Sequence, residues 1–221
     1  MTRFEKNLRF YAGNTIGNST TLFFLNKYRN FGEGNIIHAQ TQLCVEGFQR
    51  SGNSYFINFF KMVNVDVDIA HHYHSAVQIV KAAKQQIPTV LLIRTPKDAI
   101  ASLLTWDDRL NIKTAIASYI QFYQKVLPLK QNCLVVHFEE LIKGIDPIIS
   151  KINQRFETDF STTSFSTEHQ TRLLKKGEFI HNDLQTSPYP NQLKENQNNT
   201  YRLKVERHKN YQKALNLYNK F

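Results

Sequence analysis

The chain has 221 residues and carries 28 Lys plus Arg against 18 Asp plus Glu, a formal charge of +10 at pH 7. Its hydrophobic content of 41%, with sixteen Phe and ten Tyr, is enough for a folded core and excludes a chain that is disordered as a whole. The charge points to an anionic partner, for which nucleic acid, a phospholipid surface, an acidic glycan and a phosphorylated nucleotide all qualify.

The predicted elements alternate between strands and helices through most of the chain. Residues 1–40 are polar and aromatic, and we expect only short structured pieces there. Strands are predicted at 43–48, 65–69, 89–94 and 133–138. Helices are predicted at 56–63, 75–84, 98–106, 113–127, 146–156 and, as one basic helix, 201–218. Because most of the strands are uniformly apolar, as strands buried on both faces are, this order predicts an α/β domain with a parallel sheet.

The two cysteines and the apolar runs indicate the compartment. Cys44 and Cys133 both lie in apolar, strand-like runs, so we expect two buried, reduced thiols rather than a disulfide or a metal site. No run approaches the ~20 apolar residues that span a bilayer. The longest apolar run near the N-terminus, residues 22–25, is shorter than the core of about 7 residues that a signal peptide needs. The sequence therefore predicts a cytoplasmic protein without a transmembrane segment.

The segment 45–55 follows the first predicted strand and has the composition of a phosphate-binding loop. Gly47 and Gly52 allow a tight turn that brings backbone N–H groups close to a ligand. Arg50 adds a forked cation, and the following helix directs its N-terminus at the same place. An ordinary strand-to-helix turn would use similar residues. A Walker-type loop would require Lys at the position of Asn53, which argues against a kinase or nucleotidase.

A second segment, 92–102, places another cation at the end of a buried strand. Arg94 comes directly after that strand, where open parallel sheets bind their ligands. Ser102 lies four residues after Asp98, on the first turns of the next helix, so Arg94 and Ser102 are candidates to bind a second phosphate. The alternative is a purely structural ion pair between Arg94 and Asp98.

Together the two segments resemble the PAPS-dependent sulfotransferases, whose donor is 3′-phosphoadenosine-5′-phosphosulfate. That family's loop reads PK or PR followed by SGTTW, and its second motif reads R-x-P-x-D-x-x-x-S, which Arg94, Pro96, Asp98 and Ser102 match. The resemblance covers roughly 42–156 and implies a P-loop NTPase-like parallel sheet flanked by helices. It implies that Arg94 and Ser102 bind the 3′-phosphate. It implies that the 5′-phosphosulfate is bound by Arg50, Ser51, Gly52, Asn53, Ser54 and Tyr55, with Tyr55 in the place of the Trp that stacks on adenine.

A third segment, 174–177, gives weaker support to the same resemblance. Leu174 is followed by Lys175, Lys176 and Gly177, which resemble an Arg-Lys-Gly motif that also grips the 3′-phosphate in many family members. A Lys pair is equally typical of a solvated surface. The segment 133–141 matches a strand-then-(Y)EDL pattern of the family, with Phe138 at the Tyr. The resemblance implies no metal requirement.

Three histidines after the second predicted strand are candidates for a general base. Sulfuryl transfer to a hydroxyl benefits from a group that removes the acceptor's proton. By resemblance His72 is the first candidate and His74 the second, while strand alternation predicts that His71 points to the opposite face. Arg50, in the place of the family's loop Lys, is expected to stabilise charge on the bridging oxygen. A metal cluster of the three imidazoles is the alternative interpretation.

The sequence therefore predicts one sulfotransferase domain with PAPS as donor and PAP as product. It divides into a lead-in (1–40), a nucleotide-binding core (41–160) and a variable C-terminal part (161–221) of helix and loop. The acceptor is expected to be a hydroxyl, with an amine as second choice, of a carbohydrate, lipid or small metabolite. The competing functions are a P-loop-type kinase or nucleotidase and a basic nucleic-acid-binding module, and no nucleic acid is expected as partner. Neither the acceptor nor the oligomeric state follows from the sequence.

Overall fold

The computed structural model describes residues 2–23, 35–162 and 192–221. The four strands are β1 (Leu43–Gly47), β2 (Ile69–His71), β3 (Thr89–Ile93) and β4 (Leu134–His137). The helices before β4 are α1 (Arg3–Asn18), α2 (Asn53–Lys61), α3 (Ala76–Lys84), α4 (Pro96–Trp106) and α5 (Ile112–Val126). The helices after β4 are α6 (Phe138–Leu141), α7 (Asp146–Phe156), α8 (Gln192–Glu206) and α9 (Tyr211–Tyr218).

The strands form a single parallel sheet in the order β2-β1-β3-β4. In β1 and β3 every residue is buried, as the uniformly apolar runs predict. Successive side chains of β3 alternate between two cores: Leu91 and Ile93 join one cluster with α3, α4 and α5, and Val90 and Leu92 join another with α2 and α7. The predicted α/β domain with a parallel sheet flanked by helices is confirmed.

Two predictions at the ends of the chain are wrong. The lead-in holds the 16-residue helix α1, which begins with a capping box of Thr2 and Glu5. Its apolar pattern does not mark a buried face, because Phe4, Leu8 and Tyr11 all stay exposed. At the other end, the single helix expected at 201–218 is two helices, α8 and α9, separated by a turn.

The second strand lies further along the chain than predicted. Residues 65–68 form a turn and an extended approach, and β2 pairs with β1 only from Ile69 to His71. This shift places the first of the three histidines inside the sheet and leaves the other two in the loop that follows. None of the helices in the described ranges is long and apolar enough to cross a membrane.

Candidate functional site

The candidate site lies at the carboxyl ends of β1 and β3. From β1 the chain runs through α2 to β2 on one side, and it then crosses to β3 on the other side of β1. The strand order therefore reverses between β1 and β3. Open parallel sheets bind ligands in the crevice at such a reversal. Both sequence motifs, 45–55 and 92–102, begin in these two strands, so the fold brings them to the same crevice.

The loop between β1 and α2 is held in a strained, compact form. Gly47 pairs with Leu92, and a Cβ there would lie 2.5 Å from the Leu92 carbonyl oxygen, so the close approach of β1 and β3 requires glycine. Gly52 precedes α2 with φ of 100°, a backbone conformation that glycine adopts freely. Arg50 also has positive φ, at 67°. Non-glycine residues rarely adopt this conformation, and it often marks a functional site.

Tyr123 on α5 ties the loop to the sheet from beneath. Its hydroxyl donates to the Leu92 carbonyl at 2.9 Å and accepts from the Phe48 backbone N–H at 3.3 Å. The Ser51 hydroxyl lies 3.4 Å from the same oxygen and is fully buried. Ser51 therefore shapes the loop through Tyr123. Sequence analysis missed Tyr123, whose only signal is a polar hydroxyl at a buried position of an amphipathic helix.

The two motif arginines and the motif serine converge in the crevice. Arg50 Nε donates to Ser102 Oγ at 3.1 Å, and Arg94 NH1 donates to the carbonyl oxygen of Arg50 at 3.1 Å. Tyr119 of α5 donates its hydroxyl to the Arg94 carbonyl at 2.8 Å and so fixes the end of β3. Residues 52 positions apart in the chain are thereby joined in one cationic cluster.

This cluster holds two arginine side chains that lack a direct carboxylate partner in the described part of the chain. Within the described residues, neither Arg50 nor Arg94 forms an ion pair with a carboxylate. Burial, and then the charge of Arg94, lower the pKa of Arg50 to about 10, so its guanidinium stays protonated at neutral pH. Burial likewise lowers the pKa of Arg94. The positive charges of Arg50 and Arg94 repel each other, and a bound anion would offset that repulsion.

Polar atoms without partners also face this region. Arg94 Nε is buried and donates to no acceptor among the described residues, while the guanidinium lies 3.9 Å from the centre of the Phe138 ring. Asn53, at the first turn of α2, is only 3% exposed. Neither of the two polar atoms of its side chain has a hydrogen-bond partner among the described residues. Buried polar groups are normally hydrogen-bonded, so unpaired ones beside a helix N-terminus fit an anion site.

The alternative ion pair between Arg94 and Asp98 is not formed, although both residues are described. Asp98 instead accepts from Thr95 at the start of α4 and pairs with Arg202 Nε of α8 at 2.6 Å. Thr95 is the N-cap of α4, and the Asp98 carboxylate holds the Thr95 hydroxyl and anchors α8, which leaves Arg94 available to a ligand. Arg202 was not singled out from the sequence, because a basic helix gives no indication of which cation turns inward.

The histidines take up distinct positions. Ser54 Oγ, on the first turn of α2, lies 3.0 Å from His72 Nε2, so His72 reaches the candidate phosphate-binding segment 45–55. His74 donates from Nδ1 to the Gly47 carbonyl at 2.9 Å, and burial lowers its pKa to about 3. The prediction that His71 points away from His72 is wrong. β2 ends at His71, and His72 has φ of 61°, so strand alternation does not apply and the two rings are in contact.

A buried carboxylate, missed in the sequence, holds the histidine loop in place. Glu46 of β1 is fully buried and accepts from the backbone N–H of Tyr73 at 3.0 Å and of His74 at 2.8 Å. Gln78 Nε2 adds a third bond at 2.8 Å. The signal in the sequence was a Glu inside an otherwise apolar, buried strand, because a carboxylate is rarely buried without dedicated partners.

Glu46 should make the stability of the protein depend on pH. Burial raises its pKa to about 8, against four hydrogen-bond donors that favour the ionised form, namely the Gln78 side chain and the backbone N–H groups of Tyr73, His74 and Gly47. A carboxyl group whose pKa is raised by folding stabilises the protein below its unfolded pKa and loses that contribution as pH rises through the folded value. From pH 6.5 to 8.5 the free energy of unfolding should fall by about 2 kcal/mol. Chemical denaturation of the wild type and Glu46→Gln, which cannot ionise, measures this difference, and parallel losses in both proteins would contradict it.

The remaining predicted residues have mixed outcomes. Lys175, Lys176 and Gly177 lie outside the described residues. Tyr55 is partly buried and packs on Phe59 with ring centroids 4.7 Å apart. In the described ranges, no group of three or more His, Cys, Asp or Glu side chains is arranged to hold a metal ion. Cys44 and Cys133 are both buried free thiols.

Comparison with known proteins gives a distant structural likeness. No protein-family model matches the chain, and no curated protein matches its sequence. Among solved structures, the chain is similar to mouse sulfotransferase SULT7A1 complexed with PAP, with 10% sequence identity and a TM-score of 0.44. The likeness covers 83% of this chain and 90% of that chain. A TM-score at this level is too low to support a shared function, which therefore has to come from the residues of the crevice.

Proposed function

We propose that the protein is a sulfotransferase that takes the sulfuryl group from PAPS and leaves PAP. One observation carries the proposal: Arg50 and Arg94, from separate motifs, meet beside Ser102 at the reversal point of the sheet. A donor with phosphate at both its 5′ and 3′ positions suits two cations supplied by two different strand ends. Arginine's planar fork matches phosphate oxygens, which favours a doubly phosphorylated ligand.

The two sides of the crevice bind different ends of the donor in this proposal. The 5′-phosphosulfate lies against the loop 50–54, where Ser54 and the unpaired Asn53 amide stand at the N-terminus of α2. The 3′-phosphate is bound by Arg94 and Ser102 at the end of β3 and on α4. Tyr55 contacts the adenine, and Lys175, Lys176 and Gly177 are further candidates for the 3′-phosphate on the strength of their resemblance to the family motif alone.

The reaction is an in-line displacement at sulfur. The acceptor's hydroxyl oxygen attacks the sulfur atom, its proton passes to the base, and the bond from sulfur to the bridging 5′-phosphate oxygen breaks. His72 is the base, because its Nε2 lies 3.0 Å from Ser54 Oγ at the loop that holds the phosphosulfate. Arg50 stabilises the negative charge that develops on the bridging oxygen as PAP leaves. His74 is less suited, since its Nδ1 is engaged by Gly47.

The acceptor is a hydroxyl of a carbohydrate, lipid or small metabolite. Sulfate transfer from ³⁵S-labelled PAPS to fractionated cell extracts tests the proposed reaction and identifies the acceptor class together. We expect label in an organic product and stoichiometric PAP in the presence of the protein. Label that remains in PAPS in every fraction, with a protein that binds PAP, would contradict a sulfotransferase and leave a binding protein.

A further inference from the structure

We propose that His71 is a positioning residue that holds His72 in the tautomer able to accept a proton at Nε2. This inference rests on the proposed function, since it concerns the base of that reaction. His71 touches neither the loop 50–54 nor the crevice cations through any described hydrogen bond, and it acts through His72 alone.

The rings of His71 and His72 are placed to share one hydrogen bond between their Nδ1 atoms. His71 Nδ1 and His72 Nδ1 lie 2.6 Å apart, and the two rings are nearly perpendicular, with centroids 4.8 Å apart and an interplanar angle of 79°. Two nitrogens at this distance require that one donates and the other accepts. On the far side of His72, Nε2 lies 3.0 Å from Ser54 Oγ. The contacts therefore form a chain from Ser54 through His72 to His71.

Only one of the two proton arrangements suits catalysis. If His72 donates from Nδ1 to His71, its Nε2 carries a lone pair directed at the loop and can take a proton. If His71 donates instead, neutral His72 carries its hydrogen on Nε2 and cannot act as a base there. A third group that fixes the tautomer of a catalytic imidazole is the usual solution to this problem. His71 in the accepting form supplies that group.

The surroundings keep His71 able to accept. Burial, and then the neighbouring His72 and Lys61, lower its pKa to about 4 against the opposing effect of Asp68, so it is neutral and its Nδ1 can carry a lone pair. Its backbone is also fixed, because its N–H donates to the Asn35 carbonyl at 2.9 Å and its carbonyl accepts from the Asn35 N–H at 3.0 Å.

The loop after His71 is anchored on the other side of His72 as well. The Glu46 carboxylate binds the backbone N–H groups of Tyr73 and His74. His72 therefore stands between two fixed points, the end of β2 and the Glu46 contact, with φ of 61°. A backbone held in this sparsely populated conformation presents the ring to both Ser54 and His71.

The test uses the tautomer of His72 as a readout that does not depend on activity. In protein labelled with ¹⁵N-histidine, two-bond ¹H–¹⁵N correlation spectra distinguish Nδ1–H from Nε2–H rings, and His72→Ala assigns the signals. We expect His72 with its proton on Nδ1 in the wild type. In His71→Leu we expect a mixture of tautomers, with kcat lower by about 10- to 100-fold, the range seen when a group that orients a functional imidazole is lost. PAP affinity should change less than about 2-fold, since His71 contributes nothing to the phosphate contacts.

His71→Asn is the matched variant, because its Oδ1 can accept from His72 Nδ1, and it should recover both the tautomer and most of kcat. A wild-type His72 with its proton on Nε2, or a His71→Leu variant with unchanged tautomer and kcat, would overturn the proposal. The wild-type spectrum decides the question even if His71→Leu does not fold. Failure of the proposed function shows separately, as a wild type that does not bind PAP.

Discussion

Replacing Arg94 by Ala is expected to weaken PAP binding by at least about 30-fold. Arg94 lies at the end of β3 with a buried, unpaired Nε and without an ion-pair partner among the described residues. Truncating one member of a buried charge pair costs about 2–5 kcal/mol, which corresponds to at least a 30-fold increase in Kd. Isothermal titration of PAP into the wild type and the variant measures the change. The loss should be greatest for ligands with a 3′-phosphate, because that group is the proposed partner of Arg94.

Two further variants make this result specific. Arg207→Ala removes an exposed arginine of the turn that follows α8 and should leave PAP affinity unchanged within about 2-fold at physiological salt. Arg94→Lys keeps the charge but not the fork, and should recover part of the affinity. If Arg94→Ala binds PAP as tightly as the wild type does, the second phosphate site is not at the end of β3.

Replacing His72 by Ala is expected to remove turnover and spare donor binding. A positioned general base contributes about 10²- to 10⁴-fold to the rate, so kcat should fall by that factor. PAP affinity should change by less than about 10-fold, because the contact of His72 with the loop 50–54 is a hydrogen bond to Ser54, and one neutral hydrogen bond contributes about 0.5–1.5 kcal/mol. Rates of PAP formation, measured with the acceptor fraction found by labelled transfer, give kcat, and titration gives the affinity.

The control for His72 is His208→Ala, which changes a histidine of the turn between α8 and α9 and should leave kcat unchanged. If His72→Ala retains wild-type turnover, His72 is not the base, and His74 becomes the candidate to test. His74→Ala is a poor first variant, because its ring supports the Gly47 carbonyl and its loss would disturb β1 as well.

The position of the candidate site was predictable because it follows from strand ends and turns. Arg50 and Arg94 each come directly after a buried apolar strand, and parallel strands end at the same edge of a sheet. Local sequence patterns were enough to predict this position, because a strand, a glycine turn and a helix start are each determined by residues close together in the chain. The α/β order followed from the same patterns. Their meeting point, with 3.1 Å between Arg50 Nε and Ser102 Oγ, required the sheet order, which the sequence does not give.

The parts that were mispredicted depend on contacts between distant residues. The orientation of the histidines was wrong because pairing with β1 stops at His71, and Glu46 holds the next residues out of the strand. Helix α1 was missed because its outward face carries Phe4, Leu8 and Tyr11, so its periodicity does not show a polar face. Strand alternation and helix periodicity both assume a regular element with one apolar, buried face and one polar, exposed face. The histidine segment is not a regular strand beyond His71, and α1 carries apolar residues on its exposed face.

The most direct test of the central claim is ligand-dependent thermal stability with PAP, AMP and ATP plus Mg²⁺. A ligand at 100 times its Kd stabilises the folded state by about 2.7 kcal/mol. For a chain of this size that raises Tm by about 5–10 °C. We expect a shift of that size with PAP and a much smaller one with AMP, which lacks the 3′-phosphate, or with ATP. A shift with ATP and Mg²⁺ but none with PAP would contradict the assignment of the crevice to a 3′-phosphorylated donor.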